Sequence, residues 1–285
     1  MHYPSSAMLA PPSRPQTALR RSLKARSTKQ LQEKILPAGW LDLIRQVLLF
    51  AGAYMSYSVV RAVAEVNNTV PFDHASEIIH LERSLHIFVE PAIQSWAMSS
   101  HALMDIASWL YVNAQTTVAI TALVYIYLRH NKAYYPLRNR LVISMLIALI
   151  GYVVFPTAPP RFLPEWGFVD TVANLTSVTG AHGSASMTGL VNPYAAVPSM
   201  HVAFALMIGW QLARLVRFRA LKVFWALYPL IITFVVIATA NHFIFDVAMG
   251  ALTAGVSAYG ARRLEWLRPL AWRLRSLAAP AGAGG

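Results

Sequence analysis

Apolar residues gather in six long runs, at residues 44–63, 104–128, 141–157, 200–217, 222–240 and 242–260. A helix needs about 20 apolar residues to cross the hydrocarbon of a bilayer, so each run predicts a membrane span. The first carries Arg45 near one end, and the third is short and stops at Pro156. The last two are so close that they must form a tight helical hairpin around Asn241. Between the first two runs, Glu82, Arg83, Phe88, Glu90 and Trp96 interleave with apolar positions, which predicts an amphipathic helix lying in the interface. Residues 158–199, rich in Pro, Gly, Ser and Thr, form a long loop of a kind that is usually functional or disordered. The expected fold is an all-α integral membrane protein: a six-transmembrane-helix bundle with an interfacial helix and a long extracytoplasmic loop. Residues 39–264 make the membrane domain, between a basic tail at 1–38 and a C-terminal tail at 265–285.

Charge sets the orientation. Seven Lys and Arg stand in the N-terminal tail, four in the loop at 129–140, four at 214–222 and five from Arg262 to Arg275. With six spans, 20 of the 24 basic residues share one side, which the positive-inside rule makes cytoplasmic. Both termini are then inside, and residues 64–103 and 158–199 are outside. An odd number of spans would scatter the pattern.

Composition narrows the classes further. The chain of 285 residues is 56% hydrophobic and only 13% charged, too apolar for an ordinary soluble domain and for a disordered one. The net charge of +12 does not point to nucleic acid, because the basic residues punctuate apolar runs rather than line a solvated surface. Cysteine is absent, so disulfides, thiolate chemistry and Cys-based metal sites are excluded. The Ala- and Arg-rich, cysteine-free composition suggests a bacterial plasma membrane.

Ionisable residues inside spans are costly and mark function. His242 and Asp246 are spaced i, i+4 at the start of the sixth run, so they share one helix face. The carboxylate can hold the Nδ1 proton of His242 and leave Nε2 as a lone-pair donor, which prepares a nucleophile or a general base. Pro198-Ser199-Met200-His201 opens the fourth run. Proline suits a first helical turn, and the free N–H groups there, with the Ser199 hydroxyl, favour an anion. Arg161 follows Pro156-Thr157-Ala158-Pro159-Pro160 just beyond the third run, and a guanidinium suits bidentate phosphate binding. The charge-derived topology puts Arg161, His201 and His242 on the same extracytoplasmic side.

Pro198 to His201 and His242-Phe243-Ile244-Phe245-Asp246 resemble the second and third motifs of the type 2 phosphatidic acid phosphatase superfamily. With Pro156 to Arg161 and Asn192-Pro193-Tyr194-Ala195-Ala196, the chain is similar to its inositol phosphorylceramide synthase-like branch over roughly residues 80–260. The resemblance implies a six-helix core and metal-independent phosphoryl transfer without a cofactor. It implies that His242 attacks phosphorus, Asp246 supports it, and His201 protonates the leaving alkoxide. Val235 and Val236 stand where the phosphatase pattern has a Ser-Arg pair, which favours the transferase branch and makes Arg161 the leading substitute, followed by Arg83.

Each residue also has a plainer reading. The two histidines and Asp246 can glue helices together through hydrogen bonds. Arg161 can anchor to headgroups, Ser199 can cap its helix, and Asn241 can close a turn or touch substrate. Arg83 can pair with Glu82, Glu90 or Asp105. The functions that remain are a membrane phosphotransferase moving a headgroup from a phospholipid to a hydroxyl acceptor, a lipid phosphate phosphatase using water, and a metal- or proton-coupled transporter using two histidines and a carboxylate. The partners in the first two are a phospholipid or lipid phosphate and the membrane itself. The oligomeric state is not legible.

Overall fold

The computed structural model describes residues 39–63, 69–172 and 194–267. The tail at 1–38, most of the C-terminal tail and the centre of the long loop, with Asn192 and Pro193, lie outside the described residues. Eight α-helices are formed: α1 (Gly39–Val63), α2 (Val70–Ser84), α3 (Glu90–Met98), α4 (His101–Arg129), α5 (Asn131–Val154), α6 (Met200–Leu215), α7 (Arg219–Ala238) and α8 (Ile244–Leu267). Helices α4, α5, α7 and α8 are long and apolar enough to cross a membrane. Helix α6 is equally apolar but has only 16 residues. Helix α1 has the length, but Asp42, Arg45 and Gln46 dilute its apolar character, and it is not among the four.

Two differences from the sequence pattern have local causes. The expected single interfacial helix is two, because the chain turns between Leu85 and Val89 with His86 at φ 58° and restarts with Pro91 in the first turn of α3. Helix α5 begins ten residues before the apolar run because Arg138, far from ending it, is buried. Its guanidinium donates to Asn139 Oδ1 and to Gln46 Oε1. Gln46 donates in turn to Asp42 Oδ1, and the hydroxyls of Tyr127 and Tyr135 donate to Asp42 Oδ2 at 2.9 and 2.7 Å. This buried network ties α1 to the junction of α4 and α5. Its polar groups satisfy one another, as a low-dielectric setting requires.

Helix α6 packs against α4, α5, α7 and α8. Two glycines let backbones meet there. A Cβ on Gly209 would lie 2.7 Å from the Trp225 carbonyl oxygen of α7, and one on Gly250 of α8 would lie 2.4 Å from the Ser199 carbonyl oxygen. Small residues at such crossings are the usual means of close packing between membrane helices. An apolar cavity of about 520 Å³ opens between α1, α4 and α5, lined by Leu43, Phe50, Ala119, Leu123 and, from α6, Phe204.

At the end opposite the Asp42 network, the start of α6, the start of α8 and the ends of α5 and α7 converge. The Tyr152 hydroxyl of α5 donates to the Pro198 carbonyl, and the Ser199 N–H donates to the Asp246 carbonyl. The segment after α5 is sewn across this end by three backbone bonds. The N–H groups of Thr157, Ala158 and Arg161 donate to the carbonyls of Tyr194, Pro71 and Ala240.

Candidate active site

The turn between α7 and α8 sets the position of His242. The N–H groups of Asn241 and His242 both donate to the Val236 carbonyl, and Ala240 takes φ 51° to make the corner. The Asn241 side chain closes the turn from within, its Nδ2 donating to the Thr239 carbonyl at 3.1 Å and to Thr239 Oγ1 at 2.8 Å. With both amide protons used, Asn241 has only its buried Oδ1 acceptor left for another group. It cannot hold a phosphate oxygen. Val235 and Val236 are buried in the apolar layer below the turn.

His242 is buried, and its Nδ1 lies 3.1 Å from Asp246 Oδ2. The same oxygen accepts the Phe243 N–H at 3.0 Å. Asp246 therefore does two things: it reaches back to the residue before α8, as the third residue of a capping box does, and it holds the imidazole. The bond on Nδ1 places the lone pair of a neutral ring on Nε2.

His201 stands in the first turn of α6. Its ring centroid is 5.8 Å from that of His242, with the planes 61° apart. The other face of the ring stacks on Tyr111 of α4 at 4.6 Å, and Nε2 lies 3.3 Å from the Tyr111 carbonyl oxygen, which accepts its proton. Proton transfer from this ring therefore runs through Nδ1. His201, His242 and Asp246 do not turn their lone pairs to one point, and among the described residues no group of three His, Cys, Asp or Glu side chains could hold a metal ion.

The two helix starts differ in charge. Three carboxyl groups occupy that of α8: Asp246 on the Phe243 N–H, Glu90 on the Ile244 N–H at 2.9 Å, and Glu82 on the Phe245 N–H at 2.7 Å. The start of α6 has no side-chain cap from Ser199, whose hydroxyl is buried without a hydrogen-bond partner. An anion is thus repelled from one dipole end and accepted at the other, on the side where His201 stands.

A family model described as the PAP2 superfamily matches residues 76–260, from within α2 to near the end of α8. The chain belongs to the PAP2 superfamily. No curated protein and no solved structure matches it. PAP2 superfamily enzymes act on phosphate esters, generally lipid phosphates, as phosphatases or phosphotransferases and typically without a metal.

Within this PAP2 domain the structure brings His201, His242, Asp246 and Ser199 together. Arg161 is tied to them through its main chain, since its N–H donates to the carbonyl two residues before His242. Its guanidinium is 3.6 Å from Asp170 and lies over the Phe162 ring. Arg83 is exposed, with its guanidinium over Trp166, while Glu82 beside it faces α8. Adjacent residues on a helix cannot face one way, which separates the two. The acids that would have paired with Arg83 are committed to α8 instead. Sequence reasoning missed Tyr111, Asp170 and the role of Glu82 and Glu90. Only the two glutamates gave a signal, as acids among apolar positions on short helices.

Proposed function

We propose that this chain is an integral-membrane phosphotransferase of the inositol phosphorylceramide synthase type, which moves a phosphorylated headgroup from a phospholipid donor to a hydroxyl acceptor through a phosphohistidine on His242. The observation that carries the reading is the Asp246–His242 pair facing His201 beside the anion-accepting start of α6. In the first step His242 Nε2 attacks phosphorus and the bond from phosphorus to the donor alcohol breaks. The imidazolium that forms is stabilised by Asp246, and His201 gives the proton on Nδ1 to the departing alkoxide. In the second step the acceptor hydroxyl loses its proton to His201 and attacks phosphorus, and the bond to Nε2 breaks. Ser199, the first-turn N–H groups of α6 and Arg161 hold the phosphoryl oxygens as charge develops.

Two features support a lipid as the donor. Phe204 and Gln115 line the large apolar cavity and also a small void beside His201, so the cavity lies next to the reacting end. Along α4 the cavity runs from Gln115 to Leu128, about 20 Å at 1.5 Å per residue. That exceeds the roughly 15 Å depth of one leaflet's hydrocarbon. The basic residues at the far ends of the helices support six spans, with α1 and α6 completing the set, cytoplasmic termini and a site on the extracytoplasmic face. Val235 and Val236, buried where a Ser-Arg pair would serve a phosphatase, support transfer over hydrolysis.

The test is mass-spectrometric product analysis in chelator. Purified protein meets mixed phospholipids with diacylglycerol, ceramide and polyprenol acceptors, beside His242→Ala. A headgroup-bearing lipid made only by the unmodified protein supports the reading. Free phosphate with a dephosphorylated lipid replaces transfer by hydrolysis, and unchanged turnover by His242→Ala overturns both.

A further inference from the structure

Two acids that the reaction above does not use meet at the start of the helix that carries His242. Glu82 comes from α2 and Glu90 from α3, and they are 1% and 0% exposed. One oxygen of each accepts a backbone N–H of α8, from Phe245 and Ile244 respectively. These are consecutive residues, so the two side chains lie side by side and are hydrogen-bonded to each other. Their second oxygens, also buried, have no other donor. Two carboxylates in that position would repel and leave both oxygens unsatisfied, at a cost of several kcal/mol for each buried charge. A single proton between them removes both problems, because one group becomes the donor and the other remains the acceptor.

We infer that Glu82 and Glu90 form a proton-sharing acid pair that clamps α2 and α3 to the first turn of α8 and so positions His242 and Asp246. Neither acid touches the reacting atoms; both act through the backbone of Ile244 and Phe245, one to three residues from the catalytic side chains. The clamp also completes the negative cover on the α8 start, leaving that of α6 to the substrate anion. The groups that face the pair are Asp246 and, through it, His242. Arg83 is turned to Trp166, and Arg161 is beside Asp170. The chemistry of the pair agrees with its surroundings. Burial raises the Glu82 carboxyl from 4.5 to about 9, aided by the hydrogen bond from Glu90 and the charges of Glu90 and Asp246, against the Phe245 N–H.

Glutamine distinguishes this arrangement from others. In Glu82→Gln or Glu90→Gln the amide supplies the donor that the shared proton supplied, so each single variant keeps kcat within a few-fold. In the double variant two amide groups face each other with no acceptor between them, and kcat falls about 10²-fold as the catalytic side chains shift. Infrared spectra of the full-length protein in detergent should contain a protonated-carboxyl band at neutral pH. It should vanish in either single variant and, in the unmodified protein, as pH rises past about 9. The melting temperature follows the same proton. Unfolded Glu82 releases it near 4.5 and the folded protein keeps it to about 9, so stability falls as pH rises through that window. That slope should flatten in Glu82→Gln. A double variant as active as the single ones, or no carboxyl band that responds to these substitutions, overturns the pair. The infrared and melting readouts need no turnover, so they stand or fall separately from the proposed reaction.

Discussion

Replacing Gly250 with alanine tests whether the distance between α6 and α8 sets the chemistry. The added Cβ would lie 2.4 Å from the Ser199 carbonyl oxygen, 3.3 Å from its carbon and 3.4 Å from its Cβ. The obstruction is backbone, so no side chain can swing aside. Restoring ordinary contact requires α6 and α8 to part by about 1 Å. Gly250 lies one turn beyond Asp246 and two beyond His242 on the same face of α8, so the shift falls on the pair of histidines. A misplacement of this size in a reacting pair costs about 10²-fold in rate. Crowding costs roughly 1–3 kcal/mol of stability, part of which is offset by the ~1 kcal/mol that alanine gains over glycine in a helix. Activity should therefore suffer far more than melting temperature. The assay is steady-state turnover of a lipid phosphate ester in detergent, with kcat reduced and KM little changed. Gly255→Ala, on the same helix with nothing within 4 Å of the added carbon, is the control and should be at least as stable as the parent and fully active. If Gly250→Ala retains kcat within about threefold, less than 1 kcal/mol of barrier, the close crossing does not set the alignment of the site.

Three further outcomes follow from other parts of the molecule. His201→Gln should slow release of an alkyl alcohol by roughly 10²–10⁴-fold but matter much less for a nitrophenyl ester, whose leaving group needs no proton; equal losses on both would remove the acid role from His201. Ala119→Trp should fill the apolar cavity and raise KM for long-chain lipids while leaving a short-chain analogue unaffected, and equal effects on both would show that the cavity does not take the chain. Asp42→Ala deprives Tyr127, Tyr135 and Gln46 of a buried acceptor, so melting temperature should drop by the equivalent of roughly 2–4 kcal/mol. Since the network lies at the end away from the histidines, kcat at low temperature should hardly change.

The apolar runs and their spacing made the helical, membrane-embedded character legible, and His242 with Asp246 could be paired from i, i+4 spacing alone. The match to the PAP2 superfamily over residues 76–260 agrees with those motifs at the level of the superfamily. Less was legible where a residue's meaning depends on what faces it. Asp42 and Arg138 dilute apolar character on paper, yet in the fold they satisfy each other's partners and let α5 start ten residues early. Ser199 looks like a helix cap and does not cap. Asn241 suits either a turn or a ligand, and its two bonds to Thr239 assign it to the turn.

What the sequence determined by itself is everything that follows from covalent neighbours: helix type from the length of an apolar run, one face from a spacing of four, orientation from charge counted along the chain. The tertiary structure alone decided which helix start receives an anion. Helices α6 and α8 both begin at the same end of the bundle, and nothing in their own residues ranks one above the other. Glu82 and Glu90, about 160 and 150 residues before α8, cover its free N–H groups, while no comparable acid reaches those of α6 among the described residues. Helix termini attract or repel charge by what lies within a few ångströms of them, and that distance is fixed only when the chain has packed.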